Sequence, residues 1–318
     1  MRGPRHFMPG LLGVASLVLS VAGAEAVTPV RVGAIPIVGN VALYCAMDYG
    51  ASNAEGIEIQ TVDLQSGTRI VEALAAGSVD IGFSATLSIL QAAQQGLDLV
   101  IVAPASFKAT DGRAPTSALV ARKDAGITGP ARLRGKTIAV NSLMSIDYLI
   151  TAEYLARGGV SSRDVTWQEL SYQHIPPALD QGRVDAAFVA EPLLTVLKDA
   201  GRASVLSTAL DIIPGTSTAS YAALRSWTRG HGPLLEAFLR ALRHGVEVCE
   251  RDPRTARDAV VKHTGVKPEL AQRIGLPVLR PSLRSSDLLP LLELARRHHL
   301  IEGKLDLDRV LAQGVAAP

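Results

Sequence analysis

Four short stretches concentrate Ser, Thr, Asn and Gly: PIVGN (Pro36–Asn40), QSGT (Gln65–Thr68), SAT (Ser84–Thr86) and NSLMS (Asn141–Ser145). A fifth, AEP (Ala190–Pro192), adds a carboxylate. Each follows an apolar run and precedes a helical pattern. Each therefore reads as the loop between a strand's carboxyl end and the next helix. Free backbone N–H groups at helix starts, beside hydroxyl and amide side chains, favour acceptor and anionic atoms. That is the chemistry of holding a ligand rather than of breaking a bond.

The patterns that would carry bond-making chemistry are missing. GPARLRGKT (Gly129–Thr137) reads G-x5-G-K-T, one residue longer than a P-loop, and a strand follows it instead of a helix. No G-x-S-x-G elbow occurs. The seven His form no H-x-x-x-H or H-E-x-x-H pattern, and the adjacent His298 and His299 point in different directions on a helix. No metal site and no cofactor is expected. Cys45 and Cys249 are the two cysteines and neither belongs to a C-x-x-C, so redox catalysis is not expected. A disulfide between them and two buried thiols both stay open.

At 47% hydrophobic, the 318 residues have material for two packed domains. Aromatic residues make up 4%, too few for a base-stacking platform or a cation cage. The net charge of +2 comes without a Lys/Arg run, which argues against nucleic acid as a partner. The first 26 residues read as a signal peptide: Arg2, Arg5 and His6, then apolar Leu11–Ala22, then Ala24-Glu25-Ala26 as an A-x-A site. The apolar run is shorter than the ~20 residues of a membrane span. Cleavage after Ala26 and a periplasmic location are expected, and an oxidising compartment permits a disulfide.

Stepping from strand to helix, the rhythm VRVGAI (30–35), IEIQTVDL (57–64), 79–83 and 99–103 predicts a mostly parallel α/β unit. FKATDGRAP (107–115) breaks it. The rhythm resumes at 117–121, 135–140, 165–170, 184–189 and 204–207, with a last strand at 221–224 and helices from Pro233 onward. One motif occurs twice. A-L-x-x-G-x-V-D-x-x-F spans Ala73–Phe83 and again Ala178–Phe188. In both, Gly77 or Gly182 ends a helix and an Asp enters a buried strand. Asp80 and Asp185 read as groups that satisfy nearby backbone amides, with ligand contact left to the loops beyond. Two such corners imply two α/β lobes: residues 27–115 plus 222–318, and residues 116–221. The crossovers fall near Thr116 and Ala222. In open α/β sheets ligands sit outside the strands' carboxyl ends, so two facing rims make one cleft.

These residues carry a family resemblance. ALAAGSVDIGF (73–83), LRGKTIAV (133–140), Asp147-Tyr148 and ALDQGRVDAAFVAEP (178–192) resemble the substrate-binding proteins of ABC importers of the nitrate/sulfonate/taurine (NitT/TauT, SsuA/THI5-like) family, over Val27 to about Leu311. The resemblance implies a type II periplasmic binding protein fold, two α/β lobes with two hinge crossovers and the ligand in the cleft between them. It implies ligand contacts at Ile37, Asn40, Ser66, Gly67, Thr68, Ser84, Ala85, Thr86, Asn141, Ser142 and Glu191. Many members have a loop richer in Gly and Ser where this chain has NSLMS. Leu143 and Met144 add apolar bulk there, which favours an organic ligand over a bare inorganic anion. Glu191 reads either as a helix cap or, if it faces the cleft, as an acceptor for an amine or ring N–H. Arg69, Lys108 and Arg113 read as solvated charges or as anion partners at the rim.

The expectation is a non-enzymatic, monomeric receptor. It binds a small organic molecule (sulfonate, aromatic acid or pyrimidine-like) by lobe closure and delivers it to a permease and its ATPase. Two alternatives stand beside it: an exported sensor without transport, and an enzyme related to thiamine-pyrimidine synthase. Against the enzyme, that branch carries a Cys-rich segment and this chain has none.

Overall fold

The computed structural model describes residues 1, 3, 27–143 and 145–312. The expected cleavage point after Ala26 and Met144 of the NSLMS loop lie outside the described residues.

The first run lays down β1 (Thr28–Ala34), α1 (Val41–Asp48), α2 (Ala51–Ala54), β2 (Ile57–Asp63), α3 (Gly67–Ala75), β3 (Ile81–Ala85), α4 (Thr86–Gln94) and β4 (Leu99–Phe107). The second lays down β5 (Ser117–Arg122), β6 (Thr137–Val140), α5 (Ile146–Arg157), β7 (Thr166–Glu169), α6 (Ile175–Asp180), β8 (Ala186–Ala190), α7 (Leu193–Asp199) and β9 (Ala203–Thr208). The chain then returns through β10 (Ser217–Leu224), α8 (Arg225–Gly230), α9 (Gly232–Arg251), α10 (Pro253–Thr264), α11 (Pro268–Ala271), α12 (Leu289–Arg297) and α13 (Leu307–Val310).

Two five-stranded sheets result, ordered β2-β1-β3-β10-β4 and β7-β6-β8-β5-β9. The orders are equivalent. In each, one strand delivered by a crossover, β10 or β5, runs antiparallel between two others. Each lobe therefore borrows one strand from the far side of the hinge, as the two-lobed fold requires.

The lobe boundary expected at Ala222 is displaced. It falls inside β10, which lies wholly in the first sheet, so the second crossover spans 209–216. The cause is the polar start of β10. Ser217, Thr218 and Ser220 are buried between β3 and β4. Their hydroxyls find partners across the strands: Thr86 Oγ1 and Ser220 Oγ lie 2.9 Å apart, Ser106 Oγ and Thr218 Oγ1 3.4 Å. A core strand carrying hydroxyls has no apolar run to announce it.

The repeated motif does the same work in both lobes. Gly77 and Gly182 take φ of +67° and +66°, conformations open to glycine. The Asp80 carboxylate then accepts from Arg31 N at 2.8 Å, while Asp80 N donates to Arg31 O at 2.8 Å. Asp185 repeats the pair on Thr137: its carboxylate accepts Thr137 N at 3.0 Å and its N–H donates to Thr137 O at 2.8 Å. Each Asp thus clips its strand to the neighbour at the strand's entry, β3 to β1 and β8 to β6. Burial pushes the Asp80 pKa up, but the hydrogen bonds from Arg31 outweigh it and hold the carboxyl below its ordinary value.

The C-terminal helices pack on the first lobe, with α9 laid along α1. Cys45 of α1 and Cys249 of α9 are bonded, which resolves the pairing left open by the sequence.

Replacing Asp80 or Asp185 by Ala should cost about 1–3 kcal/mol each, because the strand amide loses its buried partner. Urea unfolding of the two single variants checks this, with the larger loss expected at Asp80, whose carboxylate also takes the Arg31 guanidinium at 2.7 Å. The Cys45→Ser/Cys249→Ser variant should lose about 2–4 kcal/mol, since the bridge closes a 204-residue separation. Thermal unfolding under oxidising conditions reads that difference.

Candidate functional site

The carboxyl ends of both sheets meet at the hinge. The two crossovers are themselves paired there: Lys108 N donates to Thr216 O at 3.0 Å, and Gly215 N to Lys108 O at 3.1 Å. Above this waist lies a cavity of about 80 Å³. From the first lobe it takes Ile37, Gly67, Phe83 and Ala85; from the second, Asn141, Asp147, Tyr172 and Phe188. Phe83 and Phe188 are the last residues of the two motif copies, so the motif reaches the cavity with its aromatic end.

Two buried charges face this space. Lys108 follows β4 directly. Its ammonium donates to Thr116 Oγ1 at 3.1 Å and Ser117 Oγ at 2.7 Å, across the loop between β4 and β5. The side chain is buried, not the solvated charge that its polar loop suggested. Burial lowers its pKa to about 8, against the opposing pull of Asp147. Asp147 sits in the first turn of α5, behind the N-cap Ser145, whose Oγ accepts from Asp147 N at 3.2 Å. The Tyr172 hydroxyl donates to Asp147 Oδ2 at 2.8 Å. Burial raises the Asp147 pKa to about 6, while the Tyr172 hydrogen bond, the Asn141 backbone and Lys108 pull it down. Lys108 and Asp147 line one cavity and act on each other through their fields, without a hydrogen bond between them.

A second, larger cavity of about 500 Å³ adjoins the first, sharing Ile35, Ile37, Tyr172 and Ala190 with it. Leu64, Leu193, Val196 and Val266 make its wall largely apolar.

The lobes are shut on one another. Thr68 Oγ1 and Ser142 Oγ lie 2.9 Å apart, Asn141 Nδ2 donates to Gln65 O at 2.9 Å, and Val38 N donates to Glu191 O at 3.0 Å. Farther out, Glu153 of α5 meets His298 at 2.9 Å and Arg297 at 3.3 Å at the end of α12.

The residues expected to touch ligand separate into three groups. Ile37, Gly67, Ala85 and Asn141 line the small cavity. Gly67 is required there, because a Cβ would stand 2.4 Å from Ser84 Oγ. Ser66, Thr68 and Ser142 line a rim pocket between the lobes, where Ser66 also caps α3. Asn40, Ser84, Thr86 and Glu191 line neither cavity. Asn40 Nδ2 donates to Ile35 O at 2.8 Å and its Oδ1 accepts from Tyr221 OH at 3.1 Å, so it braces the PIVGN loop. Thr86 is spent on Ser220. Ser84 Oγ is buried behind Gly67 and has no hydrogen-bond partner. The Glu191 carboxylate accepts from Thr195 N and Oγ1 at 3.0 and 2.8 Å and from Gly275 N at 3.3 Å. Of the two readings of Glu191, the geometry is that of the helix cap, here shared with a first-lobe amide.

Sequence reasoning missed Asp147 and Tyr172 as site residues. Asp147 had a usable signal, a carboxylate in the first turn of a helix, within the Asp147-Tyr148 pair that carries the family resemblance. Tyr172 had none. Arg69 and Arg113 lie away from the small cavity, paired with Glu72 and Asp111.

A family model described as NMT1/THI5 like matches residues 40–256, more than half of the chain. The chain belongs to the NMT1/THI5-like family. This is consistent with the nitrate/sulfonate/taurine group that the sequence resembles. No curated protein matches the sequence. Solved structures share the fold. The alkanesulfonate-binding protein SsuA of Xanthomonas axonopodis pv. citri, bound to MOPS, has a TM-score of 0.76 at 21% identity, over 90% of this chain and 98% of its own. The ligand-binding component of an ABC-type import system from Staphylococcus aureus, with zinc bound, has 0.79 at 16%, over 91% and 97%. The desulfurization enzyme DszB also matches, at 0.64 and 15%, over 91% and 97%. The two-lobed architecture of this NMT1/THI5-like chain is thus that of the periplasmic binding proteins.

The buried charges set a pH dependence for the protein alone. A folded pKa raised to about 6 at Asp147 favours folding below the unfolded value near 4, and that stability is lost as pH rises from about 4 to 6. A folded pKa lowered to about 8 at Lys108 favours folding above about 10.5, and that stability is lost as pH falls to 8. Each window spans about 2–3 kcal/mol. Urea midpoints against pH should show the acid-side loss vanish in Asp147→Asn and the alkaline-side gain vanish in Lys108→Met.

Proposed function

We propose that this NMT1/THI5-like protein is the extracytoplasmic solute-binding component of an ABC importer. It takes up a small organic ligand between its lobes and presents the closed form to a membrane permease and its ATPase. The observation that carries this is the cavity at the hinge, which draws polar and charged side chains from both lobes. A ligand that touches both lobes binds the shut form better than the open one, so binding drives closure. The site residues proposed are Ile37, Gly67, Ala85, Asn141, Lys108, Asp147 and Tyr172.

The neighbouring apolar cavity supports a ligand with a nonpolar part over a bare inorganic anion. Sulfonates, aromatic acids and pyrimidine-like compounds remain the classes to test. The Cys45–Cys249 bridge supports an oxidising, periplasmic setting. We read the protein as a monomer.

A second reading, an enzyme on the same fold, draws support from the DszB likeness. Against it, the 80 Å³ cavity holds no Cys, His or Glu among its lining residues. Turnover assays with the bound compound separate the two readings.

Thermal unfolding against taurine, alkanesulfonates, nitrate, aromatic carboxylates and pyrimidines tests the proposal. One chemical class at about 100 times its Kd should add ~2.7 kcal/mol and raise Tm by a few degrees. Absence of any shift, in protein shown by denaturing mass spectrometry to carry no co-purified compound, would overturn it.

A further inference from the structure

We propose that the ligand is a small zwitterion, its anionic group held by Lys108 and its ammonium by Asp147 and Tyr172. This rests on the receptor reading above and narrows the class of compound that the cleft accepts.

Three observations carry it. First, the cavity holds one cationic and one anionic side chain, both buried, contributed by the hinge and by the second lobe. Second, neither charge is neutralised by the other through an ion pair, although each feels the other's field. Lys108 is held instead by two hydroxyls. An ammonium has three donors, so a third proton is left to give. Asp147 accepts from Tyr172 OH, and a carboxylate has about four acceptor directions. Tyr172 spends its proton on Asp147, so its oxygen presents lone pairs to a further donor. Third, the cavity is lined by the hydroxyl residues Ser106, Thr116, Ser117 and Thr218, two of them bonded to Lys108, while no other acidic side chain lines it.

The alternatives leave a charge without a partner. A simple anion satisfies Lys108 but places a second negative charge beside the buried Asp147 carboxylate. A simple cation does the reverse. A neutral compound leaves both charges with neutral partners alone. A zwitterion adds no net charge and gives each buried group a charge-assisted hydrogen bond, the stronger kind. The aliphatic spacer between its two ends lies against Ile37, Phe83 and Phe188, which line the same space.

Calorimetric titration of the mature protein with matched pairs tests this. Taurine is compared with propane-1-sulfonate, and β-alanine with butanoate, so that within each pair a methyl of similar size replaces the ammonium. The zwitterion of at least one pair should bind about 10-fold tighter or more than its amine-free match. Asp147→Asn should bring the two within about threefold while still unfolding in one cooperative transition, and Lys108→Met should lose binding of both. A wild-type protein that binds an amine-free anion as tightly as its zwitterion overturns the inference and leaves the receptor reading standing. So does a ligand without a cationic nitrogen emerging from the wider panel. Binding of nothing in either set overturns both.

Discussion

Polar groups that face one another between the two lobes are satisfied across the gap, and this constraint organises the molecule. An unmet buried donor or acceptor costs more than a met one returns. The interface answers with direct pairings across the lobes: Thr68 with Ser142, Asn141 with the Gln65 carbonyl, Glu191 with Gly275. Each pairing exists only in the shut arrangement. The waist beneath them is two chain segments hydrogen-bonded at Lys108, so the lobes are free to part without unfolding either sheet. Closure is then a trade between these pairings and water, a balance that a ligand touching both lobes can tip.

The duplicated motif provides the rigid part of that trade. Asp80 and Asp185 each exchange two hydrogen bonds with one residue of the neighbouring strand, which sets the register of β3 on β1 and of β8 on β6. With register set, Phe83 and Phe188 arrive at the cavity from opposite sides. The same corner is built twice because each lobe must deliver one wall of a shared space. The disulfide between α1 and α9 holds the returning C-terminal helices against the first lobe, so that lobe forms one body despite being built from two separated segments.

The chemistry of the site follows from burial. A buried lysine and a buried aspartate lining one cavity keep their charges near neutral pH only at a cost to the folded protein. On the proposed receptor reading, that cost is relieved by partners that arrive with the ligand. The Glu191 carboxylate, by contrast, is fully engaged by Thr195 and Gly275 and acts on the geometry of the interface.

The sequence alone determined the α/β rhythm, the two lobes and the corner motif. The expectation of a receptor comes from loops rich in hydroxyl and amide side chains at the strands' carboxyl ends. These depend on local patterns: alternation of apolar residues, glycines where helices stop, the spacing of a repeat. It located the loops at the cleft, and Ile37, Gly67, Ala85 and Asn141 among them do line the cavity. The tertiary structure decided the rest. Ser217–Leu224 is a core strand although it begins with hydroxyls, because its partners lie on β3, β4 and α4, far away in the chain. Lys108 is buried although its loop is polar, because Thr116 and Ser117 fold back to hold it. Asn40, Thr86 and Glu191 sit in the right loops but turn to Tyr221, Ser220 and Thr195. A loop's place is written in the residues that flank it. The direction of its side chains is set by groups that only folding brings near.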